Sequence, residues 1–471
     1  MKTARVASAL LVLSLSGRVA RSQRVGPEFR VNTYSTNYQK LPAVAVDGAG
    51  NFVVVWQSAH PQDGSYVSAF GQRFSSTGAP VGGEFRANPF TADYQSGAPA
   101  VASDSTGNFV VVWQTFGLDG SSYGIFGQRY ASSGAPLGTG FPANTSTLGG
   151  QQNARVASSA TGDFVVVWTD LSGADGNGAG VSGQRYASSG APLGGEFRVN
   201  TYTTGSQTDP DVASSSSGGF FVVVWTDGGQ DGSISGVFGQ RYASSGARLG
   251  IEFRVNTFTS QHQASPKVAS DPTGNFVVVW QSFEEDGSSY GVFGQRYAAA
   301  GQPLGGEFRI NTYTNSRQGA PAVASDSLGN IFVVWDDNNH DGSGYGLFGR
   351  FFDSAGARIG AQFRINSTTT GTQRSPNVAA LSTNQFVVVW NGYTGPNNGE
   401  IFGQRFQACR SSDINGDTKI DVNDVFHLIN ALFAGGPPPV CGGDVNDDGR
   451  TDVADVFYLI NFLFAGGPPP A

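Results

Sequence analysis

Along most of this chain, short apolar runs return at a nearly fixed interval. Phe276–Ser282 reads FVVVWQS, and close copies of it recur seven times, each around one of the seven tryptophans. These are Trp56, Trp113, Trp168, Trp225, Trp280, Trp335 and Trp390, at almost even spacing. A strand with one face in water alternates apolar and polar residues. FVVVW does not alternate, which predicts a strand buried on both faces. Three further strand-like pieces accompany it. In the fifth copy they are PKVAS (266–270), YGVFGQRYA (290–298) and GEFRINT (306–312). The joining segments DPTGN and AAGQPLG carry turn chemistry, and a longer loop holding EEDGSS links the second piece to the third. No amphipathic helical period runs through this region.

Four short antiparallel strands per unit, with a period of about 55 residues, predict an all-β seven-bladed β-propeller. It would occupy residues 23–407. In that arrangement the middle strands of a blade lie between neighbouring blades, and the tryptophan fills the wedge. The register predicts how the ring closes. The EFRVN piece appears first at Glu28–Asn32, ahead of the first FVVVW, and the last unit ends at Ile401–Phe406 with no EFRVN after it. Pairing these two segments leaves no open edge. The turns joining the first strand to the second, and the third to the fourth, then share one side of the disc. The second-to-third loops and the inter-blade links share the other. That second side carries the divergent segments, such as SFEEDGSSYG and NTYTTGSQTDP, and is expected to hold a binding site.

Composition narrows the class. The chain has 471 residues, 67 of them glycine, and aromatic residues make up 12%. With no G-X-Y period, that mixture suits a turn-rich β protein. Net charge is −8, and no basic stripe is present to meet phosphates, so a nucleic-acid partner is excluded. Residues 1–22 read as a signal peptide: Lys2 and Arg5, an apolar Val6–Ser16 core, then Ala20 and Ser22 before a cut ahead of Gln23. No other segment approaches the ~20 apolar residues a spanning helix needs, so a secreted, extracellular protein without a membrane span is expected. Its only cysteines are Cys409 and Cys441, read as a disulfide, with a two-cysteine metal site as the alternative.

Within the repeats, six second-to-third loops carry Asp-Gly, at Asp63, Asp119, Asp175, Asp231, Asp286 and Asp341. One carboxylate per loop is too few for a calcium cage, and Asp-Gly is read as turn chemistry. The blade-specific acids Glu284, Glu285, Asp336 and Asp337 are the catalytic candidates, should the propeller cleave glycosidic bonds. Tyr66, Tyr123, Tyr290 and Tyr345 recur in the same loops, where their rings either stack on a ligand such as a sugar or pack on the next blade. The histidines His60, His262 and His340 are read as loop residues. The repeated GQR arginines are read as structural, and Arg350 in FGRFF breaks their pattern.

After Cys409 the composition changes, and residues 408–471 form a separate unit. DINGDTKIDVND starts at Asp413 and DVNDDGRTDVAD at Asp444. Oxygen side chains fall at loop positions 1, 3, 5, 9 and 12. They are Asp413, Asn415, Asp417, Asp421 and Asp424, then Asp444, Asn446, Asp448, Asp452 and Asp455, with backbone carbonyls at Lys419 and Arg450 in position 7. Each loop runs into an amphipathic stretch, DVFHLINALF or DVFYLINFLF, with no helix ahead of it. This duplicated half EF-hand resembles a type I dockerin. The resemblance implies a small α-helical module binding two calcium ions and attaching to a cohesin-like protein, often in polysaccharide degradation. Position 6 of the first loop is Thr418 where the pattern has glycine, and Ile429–Asn430 and Ile460–Asn461 stand where dockerins often carry Lys-Arg. The expectation is a secreted binding or scaffold protein whose propeller recognises a polysaccharide or cell-surface partner. The alternatives are a glycoside hydrolase and a structural or adhesive surface protein.

Overall fold

A computed structural model describes residues 23–468 apart from 60–65, 90–96, 119, 121, 174–175, 216–218, 396–397, 409–411, 416–419, 438, 440, 442, 444 and 447–449. The signal-peptide reading therefore lies outside the described residues. One compact unit spans Arg24–Gln407, and Ala408–Ala471 belong to another.

The first unit is seven four-stranded sheets, each antiparallel and, in six of them, in chain order. In the fifth blade the strands are Gln263–Ser270, Phe276–Phe283, Tyr290–Tyr297 and Phe308–Arg309. The contacts of FVVVW explain its composition. Val278 and Trp280 pack with Val222 and Val224 of the fourth blade, while Val277 and Val279 pack with Val333 and Trp335 of the sixth. Alternate residues of one strand thus belong to two different cores, and a polar residue on either face would lie between sheets.

The ring closes as the register predicts. Gln23–Arg30 is the outer strand of the last blade, beside Asn398–Gln407, Gln385–Gly395 and Thr372–Ser382. The Val31 amide donates to the Ile401 carbonyl at 2.8 Å, and the Ile401 amide donates to Asn32 Oδ1 at 2.7 Å. Asn32 has counterparts in the other blades: Asn200 and Asn256 accept from Val181 and Val237 at 2.9 and 2.7 Å. A second fastening joins adjacent blades. Thr201 donates its amide and hydroxyl to Glu252 at 2.6 and 2.7 Å, and across the seam Ser367 does the same to Glu28 at 2.8 and 2.7 Å.

The GQR arginines are structural. Arg185 Nη1 donates to the Ser244 carbonyl at 2.6 Å, Arg241 to Ala300 at 2.6 Å, and Arg405 spans the seam to Ser76 at 3.0 Å. Blade six replaces this device with a coupled set of changes. Arg350 pairs with Val333, the slot that Gln295 fills opposite Val278 in blade five, so Phe351 falls in the arginine slot. Phe351 stacks on Phe332 at 3.9 Å and meets Phe386 of blade seven at 5.5 Å, giving an apolar joint in place of an arginine–carbonyl one. In blades two and four the closing tyrosines, Tyr130 and Tyr242, donate to Ala87 and Val199 at 2.7 and 3.0 Å. Blade six has Phe352 there, and Arg350 Nη1 reaches the equivalent carbonyl of Ile310 at 2.6 Å. Burial lowers the Arg350 guanidinium to about 10. Arg350→Gln is expected to cost about 1–3 kcal/mol by stranding that buried acceptor. Adding Phe352→Tyr should recover most of the loss in denaturant unfolding; simple addition of the two losses would refute the exchange.

The second unit contains α1 (Val422–Phe433) and α2 (Val453–Ala465). Each begins with an aspartate N-cap, Asp421 or Asp452, and a capping box completed by Asp424 or Asp455. Ile414, Val425 and Leu428 pack with Val445, Val456 and Leu459, the same three positions of each duplicate.

Candidate binding cleft on the divergent face

In six blades the first strand carries a bulge, and there a residue other than glycine takes a positive φ: Leu41, Asn153, Asp209, Ser265, Ala320 and Ser375. In several of them the residue after the preceding blade's tryptophan caps the bulge. Thr226 Oγ1 accepts from the Ser265 amide at 3.2 Å, Gln281 Oε1 from Ala320 at 3.2 Å, and Gln114 Oε1 from Asn153 at 3.4 Å. Six of these post-tryptophan residues are uncharged: Gln57, Gln114, Thr169, Thr226, Gln281 and Asn391. The seventh is Asp336.

Asp336 is 1% exposed and holds two arginines brought from different blades. Arg317 Nη1 lies 2.8 Å from Oδ1, and Arg374 Nε lies 3.5 Å from Oδ2. Arg317 also donates to Gln281 Oε1 at 3.2 Å. Arg374 sits over the Tyr345 ring, its guanidinium carbon 4.1 Å from the centroid. Arg317 lies 5.9 Å from the Tyr290 ring and 5.9 Å from the Tyr345 ring. Burial pushes the Asp336 carboxyl above its ordinary range, and the two guanidiniums draw it back. A cleft of about 580 Å³ opens over this cluster, lined by Tyr38, Asp336, Thr372, Arg374, Asn391 and Tyr393 among others. Tyr38 and Tyr393 stand 6.1 Å apart at a tilt of 59°.

Of the four tyrosines singled out by sequence, Tyr290 and Tyr345 flank these arginines. Tyr123 instead packs edge-on against Phe116 at 5.2 Å, and Tyr66 is 71% exposed near the start of its third strand. The acids also divide. Asp337 is fully buried, hydrogen-bonded to Gln318 at 3.2 Å and to His340 at 3.0 Å, and burial pushes it to about 6. His340 lies in the loop after its second strand, as its sequence reading has it, and is packed there between Tyr313 and Phe348, 3.8 and 4.2 Å away. Asp231, Asp286 and Asp341 accept from the serine amide two residues on, at 3.0 Å for the first and 3.2 Å for the other two. This is the turn role read from Asp-Gly. Asp63, Asp119 and Asp175, and His60, lie outside the described residues.

Glu285 is pushed up to about 8, first by burial and then by Glu307 beside it. Glu307 already accepts the Thr257 amide and hydroxyl at 2.5 and 2.6 Å. A carboxyl that titrates higher in the folded than in the unfolded chain favours folding at low pH, and that contribution fades as pH climbs from the unfolded value through about 8. Glu285→Gln is therefore expected to raise the melting temperature at pH 9 and leave it nearly unchanged at pH 4. Equal shifts at both values would refute this.

In the C-terminal unit Asp424 and Asp455 are fully buried. Asp424 accepts from the Asn415 amide at 3.1 Å and the Asp421 amide at 2.8 Å, and Asp455 from Val445, Asn446 and Asp452 at 2.6, 3.1 and 2.8 Å. Asp417, Lys419, Asp444, Asp448 and Cys409 lie outside the described residues; Cys441 is fully buried. Among the described residues no three His, Cys, Asp or Glu side chains converge to hold a metal ion, and no helix is long and apolar enough to cross a membrane.

No family model and no curated protein matches the chain. Solved structures resemble it at low identity. A protein of unknown function from Dyadobacter fermentans is 10% identical, with a TM-score of 0.49 over 82% of this chain and 99% of that one. The α-L-arabinanase of Penicillium chrysogenum, complexed with arabinobiose, is 12% identical, with a TM-score of 0.47 over 68% and 96%. The β-propeller domain of the trilobed protease of Pyrococcus furiosus is 10% identical, with a TM-score of 0.46 over 80% and 97%. At these identities the likeness is one of fold.

Proposed function

We propose that the propeller is a binding module for a sugar polymer, seated on its divergent face in the cleft over Asp336, and that the C-terminal unit is a calcium-dependent attachment module. The observation that carries the first part is the departure of blade six from its own repeat. A charged residue stands where six blades keep a neutral one, and it organises two arginines beside tyrosine faces. An open cleft with tyrosine walls and several hydrogen-bonding groups suits a chain of sugar rings better than a compact metabolite. The hydrolase alternative would draw on Glu285, pushed up to about 8 by burial, with Glu307 beside it. Glu307 is already engaged by Thr257, which favours binding over cleavage.

Support for calcium comes from the donor set and the capping geometry. The described ligand residues Asp413, Asn415, Asp421 and Asp424 offer oxygen, and Asp424 already ties the start of the first loop to its end. Asp413, Asn415, Asp417, Asp421, Asp424 and the Lys419 carbonyl would hold one ion; Asp444, Asn446, Asp448, Asp452, Asp455 and the Arg450 carbonyl would hold the second. A Cys409–Cys441 disulfide would brace the same unit. Exposed Val422, Phe426 and Phe433, with their counterparts Val453, Phe457 and Phe464, supply an apolar surface for a cohesin-like partner.

Affinity electrophoresis of the full chain through gels holding neutral and acidic polysaccharides tests the binding reading. Retardation by at least one, lost in Tyr393→Ala, is expected, with no reducing ends released. Uniform mobility across the panel would overturn it, and release of reducing ends would favour the hydrolase.

A further inference from the structure

Resting on that reading, the geometry points to the ligand's chemical class: we propose that the cleft takes a carboxylate-bearing sugar polymer, with Arg374 receiving a uronate carboxylate on its terminal edge. Arg374 is held on two of its sides. Its Nε faces Asp336 Oδ2 at 3.5 Å, and its plane lies over Tyr345 at 4.1 Å. Neither of its terminal amino groups has a hydrogen-bond partner among the described residues, and its side chain is 41% exposed, against 1% for Asp336. An arginine oriented by a carboxylate behind it and a ring beneath it presents its remaining N–H groups as a fixed fork, matched to two carboxylate oxygens.

Charge points the same way. Arg317 and Arg374 bring two positive charges to the one negative charge of Asp336, so the cluster has one positive charge in excess. In a chain whose net charge is −8 that surplus is local, and of the three groups Arg374 and Asp336 line the open cleft. The hydroxyl of Thr372 and the amide of Asn391 line the same cleft and can meet sugar hydroxyls, and the tilted Tyr38 and Tyr393 rings border it.

The test uses the full chain in gels containing polygalacturonate, its methyl ester, dextran sulfate or a neutral galactan. The expected result is retardation by polygalacturonate that esterification abolishes. Arg374→Ala should weaken it about 10- to 100-fold, the range for a charge-assisted hydrogen bond. Arg374→Lys keeps the charge without the fork, and should bind more weakly than the parent at an unchanged melting temperature. Equal retardation by dextran sulfate, undiminished in Arg374→Lys, would overturn the carboxylate in favour of any polyanion. Retardation by the neutral galactan alone would overturn this inference and leave the sugar-binding reading standing; uniform mobility would end both.

Discussion

A chain shortened to begin at Tyr34 is expected to lose several kcal/mol of stability. Two apolar side chains of the removed segment, Phe29 and Val31, pack in the core between the first and last blades. Burying a side chain of that kind is worth roughly 1.5–3 kcal/mol. The loss has a further source. Without the N-terminal strand, the Ile401 amide loses Asn32, Gln404 loses the Gly26 carbonyl at 3.0 Å, and Ser367 loses Glu28. Asn398–Gln407 then becomes an open edge and a template for pairing with other chains. Thermal unfolding with light scattering should therefore show a lower midpoint and earlier aggregation. Glu28→Ala, which removes the Ser367 hydrogen bonds and leaves the strand in place, should cost about 1 kcal/mol. An unchanged midpoint in the truncated chain would mean that the seam contributes nothing to stability.

Removing calcium is expected to unfold the C-terminal unit and spare the propeller. Among the described residues of that unit six hydrophobic side chains are buried in the shared core and six more pack partly buried against it, a small core to hold a module alone. The sequence of each loop also carries several carboxylates, whose mutual repulsion a bound cation would offset. In hydrogen exchange, the amides of α1 and α2 should lose protection by orders of magnitude in EDTA, while those of Phe276–Phe283 hold theirs. Asp424→Ala with Asp455→Ala should reproduce the EDTA state even in excess calcium, since each aspartate both caps its helix and closes its loop. Full protection in EDTA would exclude a structural calcium.

The propeller is legible in the sequence because its demands repeat. FVVVW must be apolar on both faces in every blade, and the count of strands at each end predicts the seam. The cleft is only half legible. Asp336 stands out as a blade-specific acid, but its partners, which are arginines, do not. Arg317 and Arg374 escape a reading of residue patterns because they belong to different blades, and only the register of the first strands brings both to Asp336. A signal is available: aligning the repeats on their tryptophans isolates Asp336 as the charged exception in its column. Arg350 shows the same limit. Sequence marks it as displaced, yet its partner, the Ile310 carbonyl, is a backbone atom that no residue pattern reveals.

The fastenings at the seam match those elsewhere: Ser367 meets Glu28 as Thr201 meets Glu252, and Arg405 meets Ser76 as Arg185 meets Ser244. The position of the seam in the ring is thus a matter of covalent order and not of interblade chemistry. A circular permutant with its old termini linked, and new ones cut into another outer-strand junction, would keep every one of these bonds. Two blades depart from that equivalence: blade two has Gly140 and faces Pro89 where the others have a glutamate or glutamine and a threonine or serine, and the joint of blade six to blade seven depends on the paired choice of Arg350 and Phe351. The ring is interchangeable in its strand architecture and polarised by the blades that change a fastening, and the cleft lies where blade six, the most altered of them, meets blade seven.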